Sequence, residues 1–321
     1  MNLKKIKNTI QIQAYPTNYP IFILLIRVFL PTPDKFLQKK EKVIKIFVQN
    51  VKLLTRKEYS PDFILYFCKK RLPMLFEELK QRRTIRKYTG EDIPEKLLNE
   101  LIETACRVST TGNMQLYSVI ITRDKEMKEK LAPAHFNQPT VTSAPVVLTF
   151  CADFNRFIKW CDWRDAQQGY DNFQSFFTAA IDALIFAQQF CTVAELAGLG
   201  ICYLGTTTYN APQIIETLQL PKYVIPVTTI TVGYPSEIPE QVERLPLEAI
   251  IHQEKYKDYT REDIDRLYRD KENLAANLKF IKENNKKTLA QVFTDVRYKK
   301  EDNEYFSEVF LKIIKEQGFR F

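Results

Sequence analysis

Apolar and polar positions follow two different periods along the chain, and the switches between them mark out the elements. Met74-Leu-Phe-Glu-Glu-Leu-Lys-Gln81 places Leu75, Phe76 and Leu79 together on a helical period, predicting a short amphipathic helix. Pro94 opens a second helix to about Arg107, with Leu97, Leu98, Leu101, Ile102 and Ala105 on one face. Tyr117 to Thr122 and Val146 to Cys151 are rich in β-branched and aromatic residues and predict strands. Gly200 to Leu204 and Val227 to Gly233 predict two more, with a helix opened by Ala211-Pro212 between them and ending near Leu220. The stretch from Asn172 to Ala194 has Asp182 as its only formal charge. A helix without a polar face is expected to be buried all round, and Gly198-Leu-Gly200 ends it. Beyond Leu247 the chain turns helical and charged from Glu262 to Asn285, and a last helix runs from about Glu304 to Gln317.

Helices and strands mix without strict βαβ alternation and without an internal repeat, so the expected class is α+β, a sheet covered by helices. Residues 1–73 stand apart from this pattern. They hold none of the eight glycines and show only short apolar bursts without a sustained period. The strongest burst, Ile21 to Leu30, is bounded by Pro20 and Pro31 and interrupted by Arg27. It is shorter than the ~20 residues a spanning helix needs. Pro31-Thr-Pro-Asp34 after it is a poor cleavage site for a signal peptide. The expected organisation is an N-terminal extension, 1–73, outside the fold and dispensable, followed by one domain, 74–321. A membrane-surface or partner-binding arm is the alternative for the extension.

Charge sharpens that division. The chain carries a formal +8, but residues 1–73 hold fifteen Lys/Arg against four Asp/Glu, so the remainder is mildly acidic. A nucleic-acid footprint across the whole chain is thereby excluded, and no membrane partner is expected. The six cysteines form no CxxC pair, and several sit in apolar runs (Phe150-Cys151, Phe190-Cys191, Ile201-Cys202). They read as reduced, buried thiols of a cytoplasmic protein rather than as a disulfide framework or a metal site. His135 and His252, far apart and without a second ligand nearby, read as ordinary structural or surface residues.

Four segments offer chemistry. Gln81-Arg82-Arg83-Thr84-Ile85-Arg86 puts three guanidinium groups and a hydroxyl at a helix end, a cradle for a phosphate; a solvated basic helix end has the same composition. Ser109-Thr110-Thr111-Gly112-Asn113-Met114-Gln115 offers donors and acceptors to a heteroaromatic ring or polyol, or is a plain polar turn. Leu199-Gly200-Ile-Cys-Tyr203-Leu204-Gly205-Thr206 is a strand ending in glycine, which lets a flat ligand approach the backbone. Arg244-Leu-Pro246 is a second candidate phosphate ligand. No GxGxxG, GxxxxGK[ST] or GxSxG motif occurs, so a bound cofactor is expected to supply the reactive atom.

In this order the segments resemble the FMN-dependent nitroreductase family, and in detail its oxygen-insensitive NADPH nitroreductases and flavin reductases. The details are Phe150-Cys-Ala-Asp-Phe-Asn-Arg156, Leu220-Pro-Lys-Tyr-Val-Ile-Pro226, Val232-Gly-Tyr-Pro235 and Arg244-Leu-Pro246. The resemblance implies a three-layer α-β-α fold with a mixed, mainly antiparallel sheet, and a homodimer burying the Asn172–Ala194 helix. It implies hydride transfer from NAD(P)H through flavin N5 to nitroaromatics, quinones or free flavin, with no catalytic acid, base or metal; Asp153, Asp182 and Glu195 are then structural. A flavin-binding sensor without turnover is the alternative. By position, Arg82, Arg83, Thr84 and Arg86 are implied for the FMN phosphate and ribityl chain. Thr110, Thr111, Asn113, Gln115 and Gln138 are implied around the flavin, Tyr203, Leu204, Gly205 and Thr206 along its ring, and Arg244 at the phosphate. Two departures stand out: Val242 replaces a lysine, and Thr206 replaces a second glycine, which is expected to narrow the pocket. Asn284-Asn285-Lys286-Lys287 reads as a solvated helix end, while the resemblance places Lys286 and Lys287 on the 2′-phosphate of NADPH, favouring it over NADH.

Overall fold

The computed structural model describes residues 76–321, a unit separate from the N-terminal segment. The reading of residues 1–73 and the first two positions of the helix expected at Met74 lie outside the described residues; residues 76–80 are helical.

The elements, in chain order, are α1 (Glu95–Ala105), β1 (Tyr117–Thr122), α2 (Lys125–Leu131), α3 (Pro139–Ser143), β2 (Val146–Asp153), α4 (Asn155–Asp162) and α5 (Phe173–Leu196). Then follow β3 (Gly200–Leu204), α6 (Ala211–Leu218), β4 (Val224–Gly233), α7 (Arg261–Asn273), α8 (Ala275–Glu283), α9 (Leu289–Val292) and α10 (Lys300–Glu316). The four strands form one sheet in the order β1-β2-β4-β3, antiparallel at every neighbouring pair. β2 and β4 are central, and all eight β2 residues are buried.

Alternation along the strands feeds cores on both faces of the sheet. Val146, Leu148 and Phe150 of β2, Ile201 of β3 and Ile230 and Val232 of β4 meet Leu98 and Leu101 of α1 and Phe186 and Phe190 of α5. On the opposite face Val147, Cys202 and Leu204 meet Leu131, Val141 and Ile214 from α2, α3 and α6. Strand side chains alternate faces, so one sequence run feeds both layers, and the architecture is α-β-α.

α5 is the spine of the first layer. Asn172 caps it, accepting the Ser175 N–H at 3.0 Å, and Gly198 closes it at φ +85, a conformation that disfavours a Cβ. By length and apolarity α5 could cross a membrane, but half of that window is buried inside the domain. The expectation of burial all round holds for one side only. Phe173, Phe177, Ile181, Leu184 and Ile185, near i, i+4 spacing, are 39–50% exposed as an outward apolar stripe.

The helix expected from Glu262 to Asn285 is two helices, broken at Leu274, whose backbone is extended at φ −60, ψ 133. Asn277 Nδ2 donates to the Lys271 carbonyl at 2.7 Å, occupying an acceptor of the last α7 turn.

Candidate functional site

The arginine-rich segment and Arg244 meet. Lys80, Arg82, Gln241, Val242, Glu243 and Arg244 line one cleft of about 450 Å³. The staple is Gln241, whose side-chain amide donates to the carbonyls of Lys80 and Arg82. The cleft's one carboxylate, Glu243, is paired away by Lys271 at 3.0 Å, which holds its carboxyl below the usual range. Lys80, which the sequence did not single out, also lines the cleft, but its Nζ is paired with Glu77 at 2.7 Å.

Arg82 Nε lies 3.1 Å from Glu195 Oε1 near the end of α5. The N–H is poorly aligned on that oxygen, so the contact is chiefly one of charge. Burial pushes the Glu195 carboxyl up, and Arg82 opposes that push. Arg83 instead folds back, with Nη1 donating to the Gln81 carbonyl at 2.6 Å, while its Nε–H is buried with no acceptor. Thr84 is half-buried and Arg86 exposed. Burial raises the Cys202 thiol's pKa, and Arg86 and Arg82 beside it pull it back. The segment is fixed to the sheet where the Ile85 N–H donates to the Ile201 carbonyl at 3.0 Å. Gly200 is required here: a Cβ on it would stand 2.6 Å from the Ile85 side chain.

The Thr110–Gln115 loop is anchored by Asp182, the charge in the middle of α5. Asp182, 1% exposed, accepts from the Thr111 N–H at 2.9 Å, the Thr111 hydroxyl at 3.1 Å and the Leu116 N–H at 3.3 Å. Gly112, Asn113 and Gln115 are all left-handed, at φ 55, 57 and 55, which turns both amide side chains outward. Asp182 and Glu195 stand roughly 20 Å apart along the helix at its standard rise. The polar loop and the arginine cleft are therefore anchored at well-separated points of one chain.

His135, three residues before Gln138, meets the residue after Gly205 at the end of β3. His135, completely buried, lies with Nδ1 2.8 Å from the Thr206 hydroxyl, and its Nε2 has no partner. Burial lowers its pKa to about 4, so the ring is neutral at pH 7. Asn210 Nδ2 ties the same loop down through the Ala134 carbonyl at 2.8 Å. Thr206 is buried with its hydroxyl on His135, so it does not narrow a pocket at the strand end in the way the sequence led us to expect. Leu204 is buried, while Gly205 is exposed and a Cβ there would meet nothing within 4 Å, open ground for a flat ligand. Tyr203 is half-buried, its hydroxyl 3.5 Å from Gln188 Oε1, and burial raises its pKa.

Lys286 and Lys287 lie away from these groups in chain order and differ from each other. Lys286 Nζ pairs with Asp295 Oδ2 at 2.8 Å, holding that carboxyl down. The Lys287 side chain is exposed, and among the described residues it makes no ion pair. Two of the three acids read as structural, Asp182 and Glu195, thus each hold a segment the sequence had marked. A lone charge in an apolar helix was the signal for the first; Glu195 gave none.

Comparison with known proteins identifies the family. Residues 79–234 match the nitroreductase family. The chain is 37% identical over 184 residues to a Bacillus subtilis protein named FMN reductase [NAD(P)H], covering 57% of this chain and 74% of the relative. It is 33% identical over 180 residues to the oxygen-insensitive NADPH nitroreductase of Salmonella typhimurium, covering 56% and 73%. A crystal structure from Bacteroides fragilis NCTC 9343 superposes with a TM-score of 0.75 at 63% identity, covering 76% of this chain and all of that one. The chain belongs to the nitroreductase family.

Proposed function

We propose that this protein is an FMN-dependent oxidoreductase that passes hydride from NAD(P)H, with NADPH preferred, to a small electron acceptor: a nitroaromatic, a quinone or free flavin. One observation carries the reading furthest. Arg82 and Arg244, remote in sequence, line a single cleft under the Gln241 staple, and paired guanidinium groups suit a phosphate. The names of the relatives, FMN reductase and NADPH nitroreductase, support cofactor and donor.

The residues fit the cofactor. The buried Arg83 Nε–H lacks an acceptor that a phosphate or ribityl oxygen would supply, and Gly205 leaves the strand end open to a flat ring. Arg82, Arg83, Thr84, Arg86 and Arg244 would hold the phosphate and ribityl chain. Tyr203, Leu204, Gly205 and Thr206 would lie along the ring, with Gln138 and the loop residues Thr110, Thr111, Asn113 and Gln115 supplying polar contacts. FMN, when bound, supplies the redox chemistry. The chain's part is to bind and to orient, and solvent supplies protons.

The working unit of this reading is a homodimer. Two features favour it: the outward apolar stripe of α5, and the separation between the polar loop and the arginine cleft, which one chain anchors at opposite parts of that helix. Buried free thiols (Cys151, Cys161, Cys191, Cys202) suit the cytoplasm. Residues 74–321 carry the activity, and a chain begun at Met74 is expected to bind FMN. The test is the absorbance of the purified protein under argon. NADPH should bleach an oxidised flavin band, and a nitroaromatic should restore it. A flavin band that persists under NADPH would instead identify a binding protein without turnover.

A further inference from the structure

Glu195 is the one carboxylate that touches the arginine cleft from the helix side, and it does so in an unusual way. It is charge-paired with Arg82 at 3.1 Å, yet that contact uses no aligned N–H. Nor does any other Arg82 side-chain N–H donate to a group of the described chain. A guanidinium has five N–H donors in a planar fork, so Glu195 engages the Nε edge of Arg82 while its four Nη N–H donors stay free for an incoming oxyanion. The Glu195 side chain is 16% exposed and that of Arg82 29%. The pair is therefore partly shielded from water, where a charge contact is stronger than at an open surface.

The surroundings make this arrangement selective for Arg82. Glu195 sits one residue before the end of α5, the helix closed by Gly198, so its backbone is fixed by the core. Gly200 packs against Ile85 two residues further along the strand, fixing the backbone of the arginine segment at the same level. Helix end and arginine segment are clamped together, and the Glu195 carboxylate is the group that spans them. Cys191 and Tyr203 face the same carboxylate, and burial raises the pKa of each, so neither competes as an anion at neutral pH.

We propose that Glu195 is a positioning residue for phosphate recognition: it holds the Arg82 guanidinium at the mouth of the cleft by its Nε edge, with the Nη donors unspent. This rests on reading the Arg82–Arg244 cleft as the FMN phosphate site. Simple electrostatics makes the opposite forecast, because removing a carboxylate near a dianion should tighten its binding. The sign of the effect therefore decides between the two.

The full-length protein, stripped of flavin, is titrated with FMN and with riboflavin, which lacks the phosphate. Glu195→Ala should weaken FMN by about tenfold, the scale seen when a partner orienting a ligating side chain is removed, and leave riboflavin unchanged. Glu195→Asp, which keeps the charge, should recover part of the preference for FMN. Arg82→Ala should remove it as fully as Glu195→Ala or more so. Tighter FMN binding in Glu195→Ala would overturn the proposal, as would a parallel loss of FMN and riboflavin, which marks a merely structural role. If Arg82→Ala abolishes the FMN preference and Glu195→Ala keeps it, the positioning role alone fails. If Arg82→Ala keeps it, the phosphate site is elsewhere.

Discussion

The two acids of α5 invite comparison because they share one apolar helix and do opposite things. Asp182 is sealed in the core and satisfied by neutral donors, two N–H groups and a hydroxyl. Glu195 is partly open and faces a cation, with one oxygen left without a hydrogen bond. A carboxylate whose acceptors are all spent on backbone can only define a shape. A carboxylate that holds one edge of a guanidinium by charge leaves that group's other donors to a ligand. Burial and partner type, rather than residue type, separate scaffold from recognition here.

The contrast is broken most severely at its rigid end. Asp182→Ala leaves three donors without an acceptor, and hydrogen bonds to a charged group contribute roughly 1.5–3 kcal/mol each. A loss of at least about 3 kcal/mol is expected in urea unfolding, with the Thr110–Gln115 loop released. A variant within 1 kcal/mol of wild type would show that water replaces the carboxylate, removing the distinction.

His135 extends the comparison, being a second buried group fixed by a neutral partner. Its pKa falls from 6.5 in the unfolded chain to about 4 in the fold because burial disfavours the imidazolium. The unfolded chain therefore binds the proton first. The associated stability is complete above pH 6.5 and is lost as pH falls toward 4, by up to about 3 kcal/mol. His135→Phe should flatten the stability–pH curve in that window, read by denaturant midpoints at successive pH values. An unchanged slope would mean another group carries it.

The smallest effect belongs to the lysine pair, where the same rule separates neighbours. Lys286 is spent on Asp295, and Lys287 makes no ion pair among the described residues. Lys287→Ala is expected to raise KM for NADPH by about two- to fivefold, the yield of one exposed charge contact, with NADH unaffected. Lys286→Ala should do less. Equal effects of the two, or a loss with both nicotinamides, would count against a 2′-phosphate contact at this place.

Much of this was legible before the fold. β1 and β3 begin and end where the β-branched and aromatic runs do, and α5 was marked by its missing charges. α2 and α4 were not foreseen. α2 has seven residues, mostly charged, and is fixed by the Asp124 cap and by buried Lys128 donating to the Ala144 carbonyl at 2.8 Å. Such contacts leave no periodicity. The candidate site divides in the same way. Arg82 and Arg244 stood out through local motifs and a resemblance. Lys80, Gln241, Glu195 and His135 matter through partners remote in sequence, and no spacing announces them.

The meeting of Thr206 and His135 bears on how this sequence can drift. A glycine at 206 would strand both nitrogens of a wholly buried imidazole, and a smaller residue at 135 would leave the Thr206 hydroxyl facing a void. Neither position is free to change first without cost, so the two should covary among close relatives. Lineages with glycine at the strand end should carry something other than histidine beneath it.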